Sequence, residues 1–217
     1  MERQTTIKKL FHEEGIQFAI PSYQRAYSWE VDKDRKQIEQ FVTDIREQNP
    51  KKKYFLGHFL FEKDEHKENK YWVIDGQQRL TTVVVFFSCV IKELENRFEK
   101  QGSIKDDEGE EVEIWRIKEN YIKLGKKSYK FETVSYDNPY FESVIFEYND
   151  KVSADTLSAK RLSAAQNTFC ALLKEASLNE ILTWKKIIDE AVITTFEEQI
   201  KFKQLKYSLF RMTGEKT

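Results

Sequence analysis

The chain has 217 residues, 40% hydrophobic and 34% charged, which is enough for one compact domain with a helical extension, or two small domains, under a heavily solvated surface. Its formal charge of -1 excludes a global basic field that would draw it onto nucleic acid, so any DNA contact must come from a local patch. Cys89 and Cys170 stand inside apolar helical patterns, and there is neither a signal-peptide pattern nor a long uncharged apolar span; this argues against a disulfide framework and a membrane helix and for a cytoplasmic protein.

Ile7, Leu10 and Phe11 recur at helical spacing ahead of Gly15 and predict a short N-terminal helix. A strand follows at residues 17–20 and ends at Pro21. Residues 20–29 read I-P-S-Y-Q-R-A-Y-S-W, with no helical or strand period. Three large rings, Tyr23, Tyr27 and Trp29, surround Gln24 and Arg25. Rings in a loop either plug the core or present their faces to a planar ligand; the core is the favoured place for Trp29, while guanidinium and amide suit base and phosphate recognition. Ile38, Phe41, Val42 and Ile45 predict a helix, capped by Asp32 or Asp34 and ended by Asn49-Pro50. The lysines at 51–53 read as a solvated loop or a basic rim. Residues 54–62 and 70–74 form an antiparallel pair across a charged hairpin loop, which delivers Asp75.

Residues 71–82 read Y-W-V-I-D-G-Q-Q-R-L-T-T, a strand, a tight turn and a helix. The turn holds an acid, a glycine, two amides and an arginine, more hydrogen-bonding capacity than a connection needs. Gly76 permits positive φ and close approach of another group, and the first free N–H groups of the helix face the same spot, which suits an anion. The same residues also fit ordinary capping, with Arg79 paired to a neighbouring carboxylate.

The helix over 79–99 is apolar almost all round as far as Ile91 and belongs in the middle of the fold. Residues 100–113 are acidic and read as a mobile loop or domain boundary; Asp106, Asp107, Glu108, Glu110 and Glu111 lack the spacing of a calcium loop. Periodicity leaves 115–124 and 129–134 open between short strands and a strand with a helix. Asn138-Pro139 starts a helix running to about Tyr148. Helices are predicted over 155–176 and 178–189, a late strand over 192–196, and a helix over 200–210. His12, His58 and His66 show no metal spacing, so any metal is left to oxygen ligands and phosphate.

Four motifs in order, P-x-Y-Q-R-x-Y-x-W from Pro21, D-I at Asp44-Ile45, Y-F-L-G from Tyr54 and D-G-Q-Q-R-x-T-T from Asp75, resemble the N-terminal domain of the GmrSD-type restriction family. The clear resemblance covers about the first hundred residues, with a looser helical likeness beyond. It implies an α/β (α+β) fold: a small ParB/sulfiredoxin-like mixed-sheet core with helices over 1–99, the acidic loop at 100–113, and a mainly helical region over 114–217 that is truncated at its C-terminus. It further implies a domain that binds and hydrolyses a nucleoside triphosphate, GTP, ATP, UTP or CTP, with Mg2+, in a modification-dependent restriction or anti-phage system. The nuclease, an HNH-type domain or subunit, would lie outside this chain, whose histidines all precede residue 70.

By the same resemblance, Asp75, Gly76, Gln77, Gln78 and Arg79 bind and hydrolyse nucleotide, and Tyr23, Gln24 and Arg25 contact nucleotide or sense modified DNA. Tyr27 and Thr81 complete the nucleotide-binding set. In this reading Arg79 and the N–H groups around Gly76 hold phosphate, Asp75 holds the metal ion or orients water, and Gln77 or Gln78 positions the attacking water. Arg25 closes from the other side, with Tyr23 or Tyr27 stacking. Two rival readings remain: a module that captures DNA or a modified base without hydrolysis, and a structural partner subunit in which both arginines make ion pairs. Relatives carry a small residue after Leu-Gly where this chain has His58; a surface imidazole at the pocket edge is favoured over a proton-transfer group, because a lone histidine has no partner to tune it.

Overall fold

The structure is a computed structural model that describes residues 2–31, 36–98, 101–106 and 109–198. The first strand, β1 (Glu2–Thr6), runs straight into helix α1 (Ile7–Phe11), whose start is fixed by Thr6 Oγ1 accepting from the Lys9 N–H. Then come β2 (Gln17–Ala19), α2 (Gln37–Glu47), and the hairpin β3 (Phe55–Lys63) and β4 (Lys70–Asp75). Its arms pair antiparallel, as the polar connection predicts. The long helix α3 (Gln77–Arg97) follows, then a short hairpin of β5 (Ser103–Lys105) and β6 (Glu111–Glu113), α4 (Ile114–Tyr121), and a second hairpin of β7 (Lys123–Leu124) and β8 (Ser128–Tyr129). The chain continues through β9 (Phe131–Glu132), α5 (Asn138–Tyr140) with a π-helical turn at Phe141–Phe146, α6 (Leu157–Glu175), α7 (Leu178–Asp189) and β10 (Val192–Glu198).

Six strands make one mixed sheet in the order β1-β10-β3-β4-β2-β9, so the fold is of the α+β class. β10 lies antiparallel to β1 and parallel to β3; β2 lies parallel to both β4 and β9. Helix α3 is buried continuously from Leu80 to Ile91, apart from no side, because sheet and helices enclose it. Its Phe87 ring stacks on Tyr121 of α4 at 3.6 Å, and Phe86 meets Phe41 of α2 and Phe169 of α6. Helix α7 is held at its start by a reciprocal pair, Ser177 accepting from the Glu180 N–H while Glu180 accepts from the Ser177 N–H. None of the helices among the described residues is long and apolar enough to cross a membrane.

The structure corrects the partition at residue 99. β9 and β10 both come from the second half of the chain and complete the sheet begun in the first half, and a single apolar core joins Phe18, Val84, Phe131, Phe169 and Ile193. The described part of the acidic stretch is the β5–β6 hairpin, closed by Gly109 N–H to Asp106 O. Residues 114–121 are helical, and β1 is an element that periodicity did not reveal. Asp32, Asp34 and the helix expected over 200–210 lie outside the described residues; the N-cap position of α2 is Lys36, at φ 36°.

Candidate functional site: a cationic corner

The Asp75-Gly76 turn sits where β4 ends and α3 begins. Gly76 occupies the N-cap position at φ 87°, in the left-handed region, so no side chain caps the first turn of a 21-residue helix. The group that approaches Gly76 closely is the Phe59 ring: a Cβ there would stand 2.5 Å from Phe59 Cδ1. The glycine is thus needed for the turn and for packing. The uncapped N–H groups of α3 supply the positive end.

The aromatic loop is laced onto this corner by three glutamine amides. Gln24 Nε2 donates to Ile74 O at 2.8 Å, Gln77 Nε2 to Arg25 O at 3.4 Å and Gln78 Nε2 to Ala26 O at 3.2 Å, while Gln78 Oε1 accepts from the Ser28 N–H at 2.7 Å. Glu30, at the far end of the loop, pairs with Arg161 of α6. Tyr27 is buried, its hydroxyl 2.8 Å from Thr82 Oγ1, and burial pushes its phenol well above the usual range, so it stays protonated. Tyr27 therefore plugs the core.

Arg25, Trp29, Asp75, Gly76, Gln77, Gln78 and Arg79 line one cavity of about 160 Å³. Both arginines predicted from separate motifs face it, and neither has a carboxylate within ion-pair distance among the described residues. Arg79 is aimed by β3. Its Nη1 and Nη2 donate to Leu56 O at 3.3 Å and His58 O at 2.8 Å, and its Cζ lies 5.1 Å from the Phe59 ring centroid. Gly57, at φ 113°, makes room for it, since a Cβ there would lie 1.9 Å from Arg79 Nη1. Two N–H groups bind these carbonyls, and a guanidinium retains others for an anion.

Asp75 is exposed and is, among the described residues, the lone carboxylate on the cavity wall. Among the described residues there is no cluster of three or more metal-ligating side chains. A lone carboxylate is not a metal site by itself; a hard cation such as Mg2+ is commonly held by one or two carboxylates together with phosphate oxygens and water. Among the described residues Gln77 Oε1 is buried without a hydrogen-bond partner, an acceptor left over beside the cavity.

Several predicted site residues are taken up by the scaffold or stand elsewhere. Gln78 lines the cavity but spends both ends of its amide on the loop backbone, which makes it a brace. Thr81 is buried, donating to Gln77 O, and Gln24 is the brace just described. Tyr23, 58% exposed, borders a different cavity with Pro21, Glu62 and Trp72. His58 is an exposed imidazole between Phe55 and Phe196 that serves Arg79 only through its backbone carbonyl. Conversely Trp29, expected in the core, packs against the core and also walls the cavity. Its place at the end of the Tyr-Gln-Arg motif was the available signal.

No curated protein matches the chain. The family model of the GmrSD restriction endonuclease N-terminal domain matches residues 7–215, which takes in the loop, the corner and every described element from α1 to β10. With the cationic corner and its motifs accounted for, the chain belongs to the GmrSD restriction endonuclease N-terminal domain family, a domain of restriction systems.

Proposed function

We propose that the corner binds the polyphosphate of a nucleoside triphosphate and hydrolyses it, making this domain the nucleotide-dependent sensor of a restriction system whose nuclease resides in another domain or subunit. The observation that carries the reading is the convergence of Arg25 and Arg79, without carboxylate partners among the described residues, on one cavity at the uncapped start of α3. Two cations and the helix end are arranged to neutralise phosphate oxygens. Phosphoryl transfer is chiefly positioning and electrostatic stabilisation, so no nucleophilic side chain is required.

In this mechanism Arg79, fixed by the β3 carbonyls, grips the phosphate that leaves or is transferred, and Arg25 closes from the loop. Gln77 Oε1, the unpartnered acceptor, receives a hydrogen of the attacking water. Asp75 orients that water or holds Mg2+, which when bound would withdraw charge from the phosphate oxygens. The test is phosphate release from each of the four nucleoside triphosphates, with and without plasmid DNA, for the parent, Asp75→Ala and Arg79→Ala. Turnover that both variants lose is expected. Binding without turnover under every condition would leave a sensor that does not hydrolyse, and absence of any nucleotide effect on melting would end the proposal.

A further inference from the structure

A second cavity of about 230 Å³ adjoins the corner, and Trp29 and Arg79 line both. Trp29 and Phe41 give it ring walls, and its polar side carries Gln37, Asp44 and Tyr54. Asp44 and Tyr54 are motif residues whose side chains the phosphate chemistry leaves unused. Asp44 Oδ1 accepts from Gln40 Nε2 at 2.6 Å, and Oδ2 from the Tyr54 hydroxyl at 3.3 Å. Burial and the nearby Asp44 push the Tyr54 phenol well above its usual range, so it remains a donor that holds the carboxylate in place. A carboxylate offers about four acceptor sites, so these two bonds leave it able to accept more. Gln37 uses Oε1 on the Glu30 N–H, and its amide NH2 makes no hydrogen bond among the described residues.

We propose that this cavity is the base subsite for the nucleotide whose phosphates occupy the corner, and that it selects guanine. The inference rests on the phosphate-binding reading above. Ring walls suit any base, since every base has a π-face; the polar edge is what discriminates. Guanine presents two adjacent donors, N1–H and the 2-amino group, which match a carboxylate in bidentate fashion, and beside them a carbonyl for the Gln37 amide. Adenine and cytosine set a ring-nitrogen acceptor next to their one amino group, which would face the Asp44 oxygens. Uracil offers a single N–H between two carbonyls.

The test is isothermal titration of the full chain with GTP, ITP, ATP, CTP, UTP, 2′-deoxy-GTP and inorganic tripolyphosphate, for the parent and Asp44→Asn. The parent should bind GTP about ten- to 150-fold more tightly than ATP, the range of a hydrogen bond to a charged group, with ITP between them for want of the 2-amino group. 2′-Deoxy-GTP should equal GTP. Asp44→Asn should bring GTP down to ATP and leave tripolyphosphate unchanged; if that variant does not fold, the GTP to ITP ratio of the parent decides. Equal binding of the four bases, a guanine preference that survives Asp44→Asn, or a deficit confined to the deoxy nucleotide overturns the guanine subsite while Arg79-dependent tripolyphosphate binding still upholds the corner. Failure of tripolyphosphate to bind, or binding that Arg79→Ala leaves untouched, overturns both.

Discussion

Gly57→Ala separates the seat of Arg79 from Arg79 itself. The residue lies in β3 at φ 113°, and a methyl there would sit 1.9 Å from Nη1 and 3.0 Å from Cζ of Arg79. Alanine in so sparsely populated a backbone region costs roughly 1–3 kcal/mol. The guanidinium ends a flexible side chain and swings away, so the clash adds little to that cost. At about 2–4 °C per kcal/mol for a domain of this size, melting should fall by roughly 2–12 °C. Binding suffers more, because the displaced guanidinium leaves Leu56 O and His58 O and no longer aims at the cavity. Loss of a charge-assisted hydrogen bond worth about 1.5–3 kcal/mol weakens nucleotide binding roughly ten- to 150-fold. In an Arg79→Ala background there is nothing to displace, so adding Gly57→Ala should change affinity no further. Titration calorimetry on the four proteins of this cycle, with thermal unfolding of each, measures the coupling. Parental affinity in a folded Gly57→Ala protein, or losses that simply add, would show that β3 does not aim Arg79.

Gln78→Ala removes the brace on Ala26 and Ser28 and should cost about 1–3 kcal/mol with faster proteolysis within residues 21–31, read by thermal melting and limited digestion; an unchanged melt with lost turnover would return Gln78 to the chemistry. Tyr27→Phe deletes a buried hydroxyl beside Thr82 and should lower stability by about 0.5–1.5 kcal/mol while nucleotide affinity holds, as titration and denaturant unfolding will show. Cys89 and Cys170 are unbridged, with sulfurs 3.4 Å apart. The hydrogen bond it shares with Cys89 draws the Cys170 thiol down to about 7, whereas burial pushes Cys89 up. The thiolate is the nucleophile, so alkylation of Cys170 by iodoacetamide should rise steeply from pH 6 to 8 and level off above, with Cys89 untouched; mass mapping of the adducts over that range would expose the reverse order.

The corner was legible because its residues are odd ones for a turn. An acid, a glycine and an arginine between a strand and an apolar helix mark a strand end and a helix start, and both are local properties of the chain. What local patterns do not carry is the partner of a side chain. Gln24, Gln77 and Gln78 look like ligand-binding amides, yet their hydrogen bonds run to backbone atoms about fifty positions away, a fact set by how the loop is laid on the corner. The aperiodic loop likewise gives no phase to say which ring turns inward: Tyr27 is fully enclosed, while Trp29 packs against the core and also walls the cavity. β1 was invisible because Glu2, Arg3, Gln4, Thr5 and Thr6 have no apolar alternation; it is a strand because β10 offers its edge.

That edge has a consequence for biosynthesis. β10 begins at residue 192, yet its neighbours are β1 and β3, whose residues leave the ribosome more than a hundred positions earlier. Until it arrives, both strands offer bare hydrogen-bonding groups to any passing polypeptide, and closing so distant a pairing is slow. A nascent chain of this kind should lean on a holding chaperone during translation, and a clone that stops after α3 should precipitate.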